Sequence, residues 1–188
     1  QAAWWGGDGE GTIPHVLIAA TGGDVVESAR LLNARFSEVN LIALVDFHND
    51  SVDASLAVAR EMGDRLWGVR LDTSEKLTDK SLQDEPDADQ LRGVQPRLVE
   101  KVRGALDAEG FEHVKIVVSG GFNVEKIEAF ENKGIPVDAY GVGSSLLEGR
   151  FDFTADLVEL DGRPCAKVGR QLMPNPRLQP ILLQEATS

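Results

Sequence analysis

The chain has 188 residues, 31 acidic against 19 basic side chains, a formal net charge of −12 at pH 7, and one cysteine. That length holds one domain with a core of its own. The acidity argues against a nucleic-acid partner, which needs a basic surface, and the lone Cys165 excludes an internal disulfide or a cysteine-built zinc site. No secretory pattern opens the sequence and no apolar run approaches the ~20 residues of a membrane helix, so a cytoplasmic protein without membrane contact is expected.

Residues 1–11 are glycine-rich and read as a loop carrying Trp4 and Trp5. Thr12-Ile13-Pro14-His15 opens a helix that Val16 to Ala20 continues, with Thr12 as a cap and Pro14 in the first turn. Gly22-Gly23-Asp24 is a turn and cap before a second helix from Val25 to Phe36. Leu41 to Val45 is a continuous apolar run, as in a strand buried on both faces. An amphipathic helix from Ser51 to Met62 and a strand from Leu66 to Leu71 follow. Lys76 to Gly93 is polar and acidic and reads as a mobile loop.

A helix is expected from Pro96 to Glu109, a strand from His113 to Ser119, a helix from Val124 to Asn132 and a strand from Val137 to Tyr140. The repeated strand, loop and helix call for a parallel sheet or barrel. Asp161-Gly162, between Phe153–Leu160 and Pro164–Val168, is a hairpin signal, and the proline-bearing residues 171–188 form a tail. Three parts are therefore expected: an N-terminal loop over 1–11, an α/β unit over 12–150, and a hairpin with tail over 151–188.

In parallel α/β folds chemistry gathers at the C-terminal ends of the strands. Those ends carry Asp46, then Arg70 and Asp72, then Ser119-Gly120-Gly121, then Gly141-Val142-Gly143-Ser144, with His15 near its helix start. Two successive glycine-rich strand ends, each opening a helix, suit a phosphate. Arg70 offers a planar fork for a carboxylate or phosphate, or an ion pair with Asp72 or Asp46. The two aspartates suit ribose hydroxyls, a Mg2+ that also touches a diphosphate, or helix caps. His15 suits a nucleophile, a base, a phosphate contact or a structural role. His48 and His113 read as structural.

Five ordered motifs resemble the nicotinate phosphoribosyltransferases, type II phosphoribosyltransferases with quinolinate- and nicotinamide-type relatives. They are Gly11-Thr12-Ile13-Pro14-His15, Leu44-Val45-Asp46-Phe47-His48-Asn49-Asp50, Gly68-Val69-Arg70-Leu71-Asp72-Thr73-Ser74, Ser119-Gly120-Gly121-Phe122-Asn123 and Tyr140-Gly141-Val142-Gly143-Ser144. Asp161 to Gly169 resembles the same family's C-terminal hairpin. The likeness covers roughly residues 11–170 and implies a partial (β/α)8-type barrel with a C-terminal β-hairpin.

It also implies a glycosyltransferase of NAD biosynthesis and salvage. Nicotinate and 5-phosphoribosyl 1-diphosphate (PRPP) would give nicotinate mononucleotide and diphosphate. Mg2+ is the expected cofactor, and ATP is hydrolysed as co-substrate, in ligase fashion, through a phosphorylated histidine. The resemblance makes His15, Asp46 and Asp72 catalytic, and gives Arg70, Asp72, Thr73 and Ser74 to the substrate. Ser119, Gly120, Gly121, Gly141, Gly143 and Ser144 become the 5′-phosphate cradle, with Mg2+ near Asp46 and Asp72.

The family's N-terminal domain and early barrel strands precede the Gly-Thr-x-Pro-His motif and have no counterpart here. A homo-oligomer or a separate N-terminal partner chain is therefore expected to complete the barrel. The other readings are a quinolinate- or nicotinamide-type enzyme, and a truncated, non-catalytic module that binds phosphoribosyl ligands.

Overall fold

A computed structural model describes residues 11–147, 159–160, 162–164 and 173. Expectations for residues 1–10, for Cys165, for most of the hairpin and for the tail lie outside the described residues. Contacts divide the chain into a unit over 1–148 and a second over 149–188.

The first unit opens with helix α1 (His15–Ala20), helix α2 (Val25–Arg35) and strand β1 (Leu41–Leu44). Helix α3 (Ser51–Met62), strand β2 (Leu66–Leu71), helix α4 (Pro96–Ala108) and strand β3 (Lys115–Val118) continue the alternation. Helix α5 (Val124–Asn132) and the two-residue strand β4 (Ala139–Tyr140) complete it. The sheet is parallel, in the order β1-β2-β3-β4. Strand order follows chain order, so each crossover steps the same way and successive helices stack on one face. α2 packs on α3, and α3 on α4.

Side-chain chemistry accounts for this layer. Ala43, Val69, Ile116 and Val118 are fully buried and join Val58, Leu98 and Val102 of the helices in one core. Ile42 and Val117 are buried outside that cluster, and Val117 lies beside Arg70 in the β2–β3 register. Gly68 is required where β2 meets β3, since a Cβ there would lie 2.8 Å from the Lys115 carbonyl oxygen. Asp24 caps α2 by accepting from the Glu27 N–H at 2.9 Å.

Two local expectations are corrected. Thr12 does not cap α1: the Ile13 N–H donates to the Ile42 carbonyl at 3.1 Å, so residues 12–14 run extended beside β1 and the helix begins at His15. The segment from Lys76 to Gly93 is packed rather than free. Leu82 is fully buried and Thr78 bridges to Arg92. Asp79, also fully buried, accepts from the Ser51 N–H at 2.9 Å and from the Ser51 hydroxyl at 2.7 Å. It further accepts from the Ser81 N–H and hydroxyl at 3.0 and 2.8 Å. One carboxylate thus caps α3 from a distant loop and ties that loop down.

In the second unit, β5 (Glu159–Leu160) pairs antiparallel with β6 (Arg163–Pro164). No described helix is long and apolar enough to cross a membrane.

Candidate active site

The strand ends bring five of the expected residues close together, in two hydrogen-bonded groups. Arg70 stands at the penultimate position of β2, and its guanidinium reaches three partners. Nε donates to Ser119 Oγ at 3.0 Å, one terminal nitrogen to Thr12 Oγ1 at 2.5 Å, and the other to Asp72 Oδ2 at 3.0 Å. The Ser119 hydroxyl donates to Asp72 Oδ1 at 2.7 Å, which closes a ring of Arg70, Asp72 and Ser119. The extended segment beside β1 is what carries Thr12 to the arginine, 58 positions away in sequence.

His15 and Asp46 form the second half. His15 Nε2 lies 3.2 Å from both carboxylate oxygens of Asp46. The histidine is half exposed and the aspartate almost buried. Burial pushes the Asp46 carboxyl above the usual carboxylate range. His15 pulls it back, and the neighbouring Asp72 charge adds to the rise. Ligand atoms of His15, Asp46 and Asp72 all lie within 4.8 Å of one another.

A cavity of about 450 Å³ opens against the Arg70 group; Asp72, His15 and Asp46 are not among its lining residues. Thr12, Arg70 and Ser119 form one side, and Gly120, Gly121, Gly141, Gly143 and Ser144 the other. Gly120 and Gly121 have φ of 83° and 69°, a left-handed backbone that glycine adopts freely. Close packing adds a second requirement: a Cβ on Gly120 would stand 3.4 Å from Asp72 Oδ1, and one on Gly121 would overlap Glu75 Oε1. Phe122 anchors the loop from behind, with its ring 5.1 Å from that of Phe130 and 5.5 Å from that of Tyr140. The N–H groups of Gly120, Gly121 and Gly143 donate to no backbone carbonyl among the described residues.

Thr73 and Ser74 stand apart from the cavity. Thr73 is 2% exposed, with its hydroxyl buried and unpartnered among the described residues. Ser74 is exposed, and its hydroxyl accepts from the Lys76 N–H at 3.4 Å. Sequence reasoning missed Thr12 as the partner of Arg70, and Glu75 and Lys126 as neighbours of the glycine loop. His48 Nε2 bonds the Gly23 carbonyl oxygen at 2.8 Å.

An arginine, two carboxylates and a histidine at the C-terminal ends of parallel strands, near a glycine-lined cavity, place the candidate site where α/β proteins carry their ligands. Comparison with known proteins narrows this class. No family model matches the chain. It is 35% identical over 128 residues to nicotinate phosphoribosyltransferase pncB1 of Mycobacterium tuberculosis, across 66% of this chain and 24% of that protein. It is 28% identical over 160 residues to pncB2 of the same organism, across 81% of this chain and 30% of that protein.

Among solved structures, nicotinate-nucleotide pyrophosphorylase from Pyrococcus furiosus matches with a TM-score of 0.61 and 35% identity, over 90% of this chain and 40% of that one. Nicotinate phosphoribosyltransferase from Porphyromonas gingivalis shares the fold, with a TM-score of 0.54 at 15% identity over 82% of this chain and 37% of that one. The chain belongs to the nicotinate phosphoribosyltransferase family. It spans about a quarter of the length of its first curated relative, 24%.

Proposed function

We propose that this site carries phosphoribosyl transfer to nicotinate, using PRPP and releasing nicotinate mononucleotide and diphosphate. The observation that carries the reading is the Arg70–Asp72–Ser119 ring opening onto the glycine-lined cavity beside the His15–Asp46 pair. The open four-stranded sheet is read as part of a (β/α)8-type barrel.

Gly120, Gly121, Gly141, Gly143 and Ser144 take the 5′-phosphate, and the Gly120, Gly121 and Gly143 N–H groups, which donate to no backbone carbonyl among the described residues, favour an anion there. Arg70 holds the nicotinate carboxylate or a phosphate with its fork. In the transfer, the bond between the anomeric carbon and the diphosphate oxygen breaks. A bond from the pyridine nitrogen to that carbon forms. The sugar passes through an oxocarbenium-like state, and the Asp72 and Asp46 carboxylates stabilise its positive charge.

The oxygen donors of Asp46 and Asp72 suit Mg2+, and their closeness to each other and to His15 fits one ion held with the substrate diphosphate. When bound, the ion offsets charge on the leaving diphosphate. ATP enters through His15. Asp46 accepts from Nε2–H, which leaves the Nδ1 lone pair as nucleophile for the terminal phosphoryl group of ATP. The bond from that phosphorus to ADP breaks as the phosphorus–nitrogen bond forms, and water later releases phosphate.

The test is formation of nicotinate mononucleotide by the purified chain with nicotinate, PRPP, Mg2+ and ATP, beside a His15→Ala control. Turnover that requires both ATP and His15 supports the full reading. Turnover indifferent to ATP and to His15 supports a quinolinate-type mechanism instead. Phosphoribosyl binding without turnover leaves a binding module.

A further inference from the structure

Lys126 lies in the first turn of α5, outside the cavity lining. Its ammonium sits 4.3 Å from the centre of the Phe122 ring and donates to the Gly120 carbonyl oxygen at 3.3 Å. It closes no salt bridge among the described residues, and Glu75 acts on it only from a longer distance. Burial pushes the ammonium below the usual lysine range, and the Glu75 carboxylate pulls it part of the way back. A half-buried cation with one carbonyl, one aromatic face and a distant carboxylate is costly to hold unless it serves something.

The Gly120 carbonyl and the Gly121 N–H belong to one peptide plane, and in a trans peptide they point in opposite directions. Glycine at both positions leaves that plane free to rotate. A cation that fixes the carbonyl on one side therefore fixes the N–H on the other. Glu75 Oε1, packed against the Cα of Gly121, limits the remaining movement.

We infer that Lys126 is a positioning residue: by holding the Gly120 carbonyl it turns the Gly121 N–H into the cavity, where it binds a phosphate group. The inference rests on the phosphate-site reading above. Lys126 touches neither substrate nor the reacting atoms and acts through the peptide plane. Its charge, on the far side of that plane, adds a positive potential behind the donor.

The test compares binding of ribose 5-phosphate and of ribose to the full chain, to Lys126→Met and to Lys126→Arg, with the Gly121 amide followed by 15N NMR. Methionine keeps an unbranched stem over Phe122 and removes the ammonium, with its charge and its hydrogen bond to the Gly120 carbonyl. Lys126→Met should bind ribose 5-phosphate about tenfold more weakly, the loss expected for one charge-assisted hydrogen bond. Its Gly121 amide should no longer shift on ligand addition, while Lys126→Arg restores both.

Equal affinity and an equal Gly121 shift in Lys126→Met overturn the inference and leave the phosphate site standing. Equal losses in both variants, with lowered melting temperatures, assign Lys126 to packing and also overturn it. Failure of the unmodified chain to prefer ribose 5-phosphate over ribose overturns the phosphate-site reading itself.

Discussion

Replacing Arg70 by methionine removes the hub of the cluster. The guanidinium bonds Ser119 at 3.0 Å, Thr12 at 2.5 Å and Asp72 at 3.0 Å, and it is the ion-pair partner of Asp72. Side-chain exposures are 25% for Arg70 and 22% for Asp72, so the pair lies between a surface and a buried bridge. Surface pairs contribute about 0–1 kcal/mol, and breaking a fully buried one costs about 3–5 kcal/mol. Arg70→Met also leaves Asp72 with Ser119 as its one remaining partner among those identified.

A loss of about 2–3 kcal/mol follows for Arg70→Met, measured by urea unfolding at constant m-value. Arg70→Lys keeps the charge but not the fork, so it recovers at most about half. A double-mutant cycle with Asp72→Asn should give a coupling of about 1–2 kcal/mol. Arg70→Met within about 0.5 kcal/mol of the unmodified chain, or strict additivity with Asp72→Asn, would refute the argument.

Other outcomes follow from the same contacts. Asp79→Ala strips α3 of its remote cap and frees the 76–93 segment; denaturant unfolding should show a loss of about 3 kcal/mol, and limited proteolysis new cleavage in that segment. Gly121→Ala meets both an unfavourable φ and Glu75, so calorimetry with ribose 5-phosphate should show binding weakened at least about tenfold.

For Asp46 the folded carboxyl is raised above its unfolded value near 3.9, so the native state binds the proton more tightly. Stability therefore falls as pH rises from the unfolded value through the folded one, and stays lower above it. Asp46→Asn should melt higher than the unmodified chain at pH 7 and lose that slope, while losing turnover; a lower melting temperature at pH 7 would contradict the sign.

Much of the layer order is legible in the sequence because it depends on local patterns. The apolar run from Leu41, the helix over Ser51–Met62 and the Asp24 cap need only near neighbours to be recognised. The strand-end rule placed Arg70, Asp72, Ser119 and both glycine loops together for the same reason. What the sequence hides is long-range pairing of ordinary residues. Thr12 beside Pro14 looks like a helix cap, and only the bond from Ile13 to Ile42 turns it toward Arg70.

Asp79 sits in an acidic stretch that resembles a mobile loop until Ser51, 28 positions away, meets its carboxylate. Lys126 lies in the helix expected from Val124 to Asn132, and nothing local marks it. Its contact with Gly120 depends on the left-handed turn at that glycine. The four described strands form an open parallel sheet, and the expected barrel is not seen among the described residues.

The central claim is that the glycine-lined cavity and the Arg70 cluster hold a phosphoribosyl ligand. Titration of the full chain with nicotinate mononucleotide, followed by calorimetry, tests it most directly. One binding site, competition by inorganic phosphate, and loss of binding in Gly121→Val are expected. No binding, or binding that survives Gly121→Val unchanged, would contradict it.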